Sequence, residues 1–123
     1  MKLMEAIHAA DLLIPNAYGM EEKIRWLSEL DGKIKREIID THEGYDLIPF
    51  DGYTTETDPD TQLLANPPYD GLYLDYLQMK FDYYNGETKR YENSADAFEA
   101  AYSDFQRYFN RTAMPVRRQR RYW

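Results

Sequence analysis

Apolar residues recur at helical spacing in four stretches of this chain, and between the second and the third the pattern lapses. In residues 3 to 14, Leu3, Ile7, Ala10 and Ile14 share one face and Pro15-Asn16 stops the run, which predicts a short helix. Residues 20 to 41 predict a longer one, with Met20, Ile24, Leu27, Leu30, Ile34 and Ile38 within roughly 120° of arc as a core-facing stripe. Trp26 lies off one edge of that stripe and Ile39 off the other. A neighbouring loop could cover them; alternatively Trp26 is an interface anchor, since aromatic residues are enriched at such places. Gly32 weakens the helix by about 1 kcal/mol relative to alanine and allows a slight bend.

From Glu43 to Pro68, Gly44, Pro49, Gly52, Pro59 and Pro67 break any helix. Residues 45–50 and 61–64 are short enough for edge strands or extended segments, so the reading is a β-hairpin or long loop at about 45–66 that protrudes from the helices. Nine acids and no lysine or arginine lie between Asp40 and Met79. An excursion of that length in a small domain is usually functional or disordered.

Residues Pro68 to Pro115 predict two helices joined by the polar turn ETKRY, a hairpin whose arms are each on the order of 25 Å long. Pro67-Pro68 suits a helix start, Asn85-Gly86 can end the first arm, Asn93 or Ser94 caps the second with Asp96 in its first turn, and Pro115 stops it. On the first arm, Leu72, Tyr73, Leu74, Tyr76, Leu77, Met79, Phe81, Tyr83 and Tyr84 spread over roughly 220°, leaving Asp75, Gln78 and Asp82 as the polar strip. One packing partner cannot cover so wide an arc. Lys80 lies near its middle, where a charge is costly unless its stem packs and its ammonium reaches an acid or open water; the expectation is a carboxylate partner, from this chain or a neighbouring copy. The second arm is narrower, with Ala97, Phe98, Ala101, Tyr102, Phe105, Tyr108 and Phe109 over roughly 140°, opposite Asp96, Glu99, Ser103 and Arg107. The fold class is thus mainly α, a small helical bundle built on a long C-terminal hairpin. Residues 1–115 form one domain with the excursion inserted, and 116–123 form a basic-aromatic arm.

At 123 residues the chain can bury a modest core. Without cysteine it has neither disulfides nor thiolate metal sites. The N-terminal residues MKLMEAIHAADLLIP carry Glu5, His8 and Asp11 and no small-residue cleavage site, which is not the pattern of a signal peptide, and no run approaches membrane-spanning length. Net charge is -7, but from Arg111 onward there are five arginines and no acid, so residues 1–110 carry -12. Such a body argues against nucleic-acid binding by the folded domain and leaves the tail a separate question.

Catalytic and cofactor signatures are lacking. His8 and His42 have no cysteine partner and no HExxH spacing, the acids from Asp51 to Asp60 lack EF-hand order, and the six glycines form neither a P-loop nor a dinucleotide fingerprint. No serine sits in a GxSxG setting, and no carboxylates are paired across an apolar pocket as acid and base. The expectation is no enzyme, no metal and no cofactor. Twelve tyrosines in so short a chain, many on the wide arc, fit half-wet surfaces as well as a core.

The segment from Pro68 to Pro115 resembles the C-terminal signature of small structural-module proteins of tailed phages of Gram-positive bacteria. The shared elements are the PYD turn at Pro68-Tyr69-Asp70, the D-Y-x-N-G-E run from Asp82 to Glu87, the R-Y-x-N-S run from Arg90 to Ser94, and N-R-T-x-M-P from Asn110 to Pro115. The likeness continues more loosely through Trp26 to Leu30, weakens in the excursion, and departs at Ala113, where relatives usually carry histidine. It implies a head-to-tail connector, an adaptor or neck component of the virion, made in the host cytoplasm and assembled as a homo-oligomeric ring below the portal. Its implied partners are the portal and neighbouring adaptor or tail-completion proteins, with DNA passing the lumen unread by sequence and no membrane. No catalytic residue comes with it. The competing class is a small regulator that binds a host protein or nucleic acid through its arginine-rich end.

The candidate interface residues are Trp26, Tyr73, Tyr76, Lys80 and Tyr83 on the body and Arg117, Arg118, Arg120, Arg121, Tyr122 and Trp123 in the arm. Arginine, tyrosine and tryptophan dominate interface hot spots, and the acidic body of a neighbouring copy complements the arginines. The acidic excursion is expected on a flank or against a basic partner rather than along DNA.

Overall fold

The computed structural model describes residues 1–42 and 49–112. Four helices account for most of them: α1 (Leu3–Leu13), α2 (Met20–Ile34), α3 (Leu72–Tyr84) and α4 (Thr88–Thr112). The mainly helical class is as the periodicity predicts. The stripe of α1 buries Leu3, Ile7 and Ala10, with Ile14 at its C-cap, and Ala6 joins them. In α2, Ile24, Leu27, Leu30 and Ile34 are buried as expected, whereas Met20 is exposed because it opens the helix at the end of the bundle.

Helix α2 is continuous through Gly32. It runs on into a π-helical turn, Lys35–Ile39, closed by the Asp40 amide donating to the Lys35 carbonyl at 2.8 Å. Adjacent residues on a regular helix point about 100° apart, and the wider turn accompanies burial of both Ile38 and Ile39.

A 3-10 turn, Tyr69–Gly71, leads into α3, so the regular helix begins four residues after Pro68. The α3–α4 connection is shorter than predicted. Gly86, at φ 75°, reverses the chain, the Glu87 amide donates to the Asp82 carbonyl, and the Tyr91 amide donates to the Glu87 carbonyl, so the chain is helical from Thr88. Most of ETKRY is therefore first-turn helix, and neither Asn93 nor Ser94 is a cap. Threonine, lysine, arginine and tyrosine all tolerate helix, and their polarity alone imitated a turn. Ser94 instead faces α3, where its hydroxyl donates to Asp82 Oδ2 at 2.6 Å. This pair also removes Asp82 from the expected polar strip, for it is 1% exposed. On α4, Phe98 and Phe105 are buried and Ala101, Tyr102, Tyr108 and Phe109 pack against the core, while Ala97 faces solvent.

The excursion is described from residue 49 onward, and residues 43–48 lie outside the described residues. No strand occurs among the described residues; the nearest approach is an isolated antiparallel bridge between Lys2 and Gln62. Among the described residues 49–66, the segment does not protrude as a separate arm but is tied to the N-terminus of α1. Leu3 and Met4 donate their amides to the Thr61 and Pro59 carbonyls, and the Leu63 amide donates to the Met1 carbonyl. Tyr53, Leu63 and Ala65 enter the core. The expectation of protrusion failed because the buried apolar residues are spaced too irregularly to register as a stripe.

Candidate interaction site

The most elaborate polar group in the fold is internal. Asp31, on the buried side of α2, is fully enclosed and accepts hydrogen bonds from the Tyr53 hydroxyl (2.5 Å), the Tyr73 hydroxyl (2.7 Å) and the Leu64 amide (3.1 Å). The Tyr73 hydroxyl in turn accepts from the Ala65 amide at 2.7 Å. Burial pushes the Asp31 carboxyl above the usual carboxylate range, and its three donors offset this only in part. Burial and the facing carboxylate also push both phenols upward. The cluster ties the loop to α2 and α3, and its Asp31 and Tyr73 are wholly enclosed, so it serves the fold.

The outward-facing chemistry gathers at one end of the bundle. The Tyr18 hydroxyl, in the α1–α2 loop, donates to Asn85 Oδ1 in the α3–α4 turn at 2.8 Å, and Tyr18 packs against Phe81, Tyr84 and Trp26. The two connections are thus neighbours. Around them lie Leu12 (88% exposed), Leu13 (60%), Met20, Tyr83 (58%) and Tyr84. Below this surface Lys23 is buried, pairs with Asp11 at 2.8 Å and lies 5.8 Å from the Phe81 ring centroid. Burial alone would raise the Asp11 carboxyl, but the Lys23 ammonium and the Asn16 amide outweigh it and hold the group below its ordinary value.

The predicted body residues divide. Trp26 is 2% exposed, stacked on Tyr84 and edge-on to Phe81, and Tyr73 is wholly enclosed. Both are core residues of the protomer, Trp26 because Phe81 and Tyr84 of α3 and Tyr18 of the α1–α2 loop close over it and Tyr73 because it is tied to Asp31 and the Ala65 amide, and neither offers a side chain to a partner. Tyr76 is half-buried against Phe98, and burial, with Glu29 and Tyr84 nearby, pushes its phenol up to about 12. Lys80 does not have the expected carboxylate among the described residues; its ammonium lies 5.4 Å from the Tyr76 ring centroid, where the aromatic face partly replaces a counter-ion. Tyr83 is at the exposed end. Arg117, Arg118, Arg120, Arg121, Tyr122 and Trp123 lie outside the described residues.

Sequence reasoning passed over Leu12, Leu13 and Met20 as surface residues. The signal was present for Leu12, which falls about 180° from the Leu3–Ile7–Ala10 face of α1. An open groove of about 560 Å³ separates the start of α2 from residues 53–55, lined by Glu21, Ile24 and Tyr53 among others, and its Glu22 is engaged by Arg25 at 2.5 Å. No group of three metal-ligating side chains occurs among the described residues, and none of their helices is long and apolar enough to cross a membrane. No protein family, curated protein or solved structure matches the chain.

Proposed function

We propose that the protein is a structural adaptor of a tailed-phage virion, a head-to-tail connector that assembles with copies of itself as a ring below the portal and links capsid to tail. The observation that supports this reading best is the exposed apolar end formed by Leu12, Leu13, Met20, Tyr83 and Tyr84. Clustered apolar side chains of this size on a small domain mark a surface meant for a partner. A protomer in a ring meets neighbours on opposite sides, so it needs one surface to present and another to receive. Here the basic-aromatic arm, opposite in charge to the body, is the first, and the apolar end is the second.

On this reading the portal and adjacent adaptor or tail-completion proteins are the partners, and the acidic body keeps DNA in the lumen from adhering. The role is structural, with no reaction to catalyse. Native mass spectrometry of the full chain across a concentration series, alone and with the portal protein of the same phage, tests the proposal. A closed oligomer of defined mass that joins the portal is expected. A monomer at every concentration that also ignores the portal overturns it.

A further inference from the structure

Beside the α3–α4 turn lies a cavity of about 190 Å³ lined by Asp82, Tyr83, Gly86, Glu87, Thr88 and Tyr91. That is room for on the order of six waters, enough for one side-chain head group and well short of the roughly 300 Å³ at which cofactor-sized sites begin. Its chemistry is one-sided. Two carboxylates and two phenol rings line it, with no lysine or arginine among the lining residues. Tyr83 and Tyr91 pack with ring centroids 5.3 Å apart and form one wall.

The floor carries the independent sign of a missing partner. Asp82 is 99% buried; Oδ2 accepts from the Ser94 hydroxyl, while Oδ1 is shut from solvent and has no hydrogen-bond partner. Buried carboxylate oxygens are ordinarily satisfied, so an orphan in a residue that lines a cavity calls for a donor from outside, which reaches Oδ1 as the side chains over it shift. The N-terminus of α4 adjoins the cavity and brings roughly half a positive charge, which works against a cation. Two carboxylates outweigh it, and they exclude an anion. Among cations, a guanidinium suits the site better than an ammonium, because its planar fork can reach a carboxylate while its face lies on a tyrosine ring.

We propose that this cavity binds one arginine side chain, delivered by the Arg117–Arg121 run of a second copy of the chain. The proposal rests on the adaptor reading and specifies the contact through which copies join. Chain length points to the second copy. Helix α4 starts at the cavity and its 25 residues carry the chain roughly 36 Å away from it. Along the backbone Arg117, five residues past Thr112, reaches back at most about 18 Å and falls short; Arg121, nine residues past, reaches about 32 Å and brings its side chain to the cavity only with the arm fully stretched back along α4. A neighbour's arm has no such limit. Four arginines in five positions with no acid match the two carboxylates, and the exposed Tyr83 and Tyr84 beside the cavity offer apolar surface to Tyr122 and Trp123.

The test uses the full-length chain with Arg117, Arg118, Arg120 and Arg121 all changed to Gln, so that no arm competes, and a synthetic peptide of residues 117–123. Calorimetry and amide NMR should show saturable 1:1 binding that shifts Gly86, Thr88 and Tyr91. The Glu87→Gln/Tyr91→Ala pair, on the solvent side of the cavity and checked by its melting curve, should weaken binding at least tenfold. A peptide with lysine for every arginine should bind several-fold more weakly. Absence of saturable binding, or an affinity that the cavity variants leave unchanged, overturns the proposal. If the unsubstituted chain nevertheless assembles, the adaptor reading survives that failure. If the chain is monomeric and ignores the portal while the peptide fills the cavity, the adaptor reading falls and the second-copy source falls with it.

Discussion

Asp31 holds together segments that are far apart in sequence, since its three donors come from residues 22, 33 and 42 positions away. Replacing it with alanine leaves two phenols and an amide without their acceptor in a dry interior. We expect Asp31→Ala to cost about 3–5 kcal/mol of unfolding free energy by urea titration, and Tyr53→Phe, which removes one donor, about 1–2 kcal/mol. The pH dependence has a defined sign. A carboxyl raised in the folded state binds its proton more tightly there, so its contribution is fully present below the unfolded value of 3.8 and is lost as pH rises through the folded value. Asp11 is shifted the other way, so its contribution is present above 3.8 and is lost as pH falls through its lower folded value. The urea midpoint of Asp31→Asn, followed from pH 3 to pH 7, should therefore lack the decline with rising pH that Asp31 imposes on the parent. A parallel pair of curves would refute the assignment. None of this was legible in the sequence, where Asp31 is one acid among many and nothing marks Tyr53, Leu64 and Tyr73 as its partners.

At the scale of elements, the four helices were legible and the joints were not. Periodicity located α1, α2 and α3 because each buries an unbroken stripe. The start of α4 was misplaced because Asn93 and Ser94 look like caps; Asn85-Gly86 reads as the end of α3, and Gly86 does take the positive φ, but that this one reversal lets the helix resume at Thr88 was not legible. The two placements predict different mutational costs. A capping Asn93 would cost about 1 kcal/mol on change to alanine, whereas an exposed Asn93 inside a helix should be neutral or slightly stabilised by the same change. Ser94→Ala should cost about 1–3 kcal/mol, since it strips the Asp82 carboxylate of its one hydrogen-bond partner. Gly86→Ala should cost about 1–2 kcal/mol through its left-handed backbone. Thermal unfolding of the three single variants checks the order, and a loss at Asn93 equal to that at Ser94 would restore the later helix start.

For the whole molecule, the question is which surface drives association, and salt separates the candidates. Bodies carrying -12 repel one another, and added salt screens that repulsion, so an apolar contact between them should strengthen as salt rises. Arginine docked on carboxylates should weaken over the same range. The candidate surface was legible only in fragments: aromatic residues were expected to make contacts, but Trp26 and Tyr73 turned inward, and the bundle end became visible only once Tyr18 and Asn85 brought two distant turns together. Leu12 and Leu13 isolate the apolar part, because they are exposed and contribute little to the core. Full burial of a leucine at an interface is worth about 1.5–3 kcal/mol. Changing both to glutamine should therefore weaken association at least ~100-fold while leaving the melting temperature within a few degrees of the parent. Sedimentation velocity at 50 mM and 500 mM sodium chloride should show the double variant losing assembly at both salts. The arginine-to-glutamine chain should lose it mainly at low salt, where the missing contact was strongest. Unchanged assembly of the Leu12→Gln/Leu13→Gln variant would remove the two leucines from the interface and leave the arm, docked beside the α3–α4 turn, as its main support.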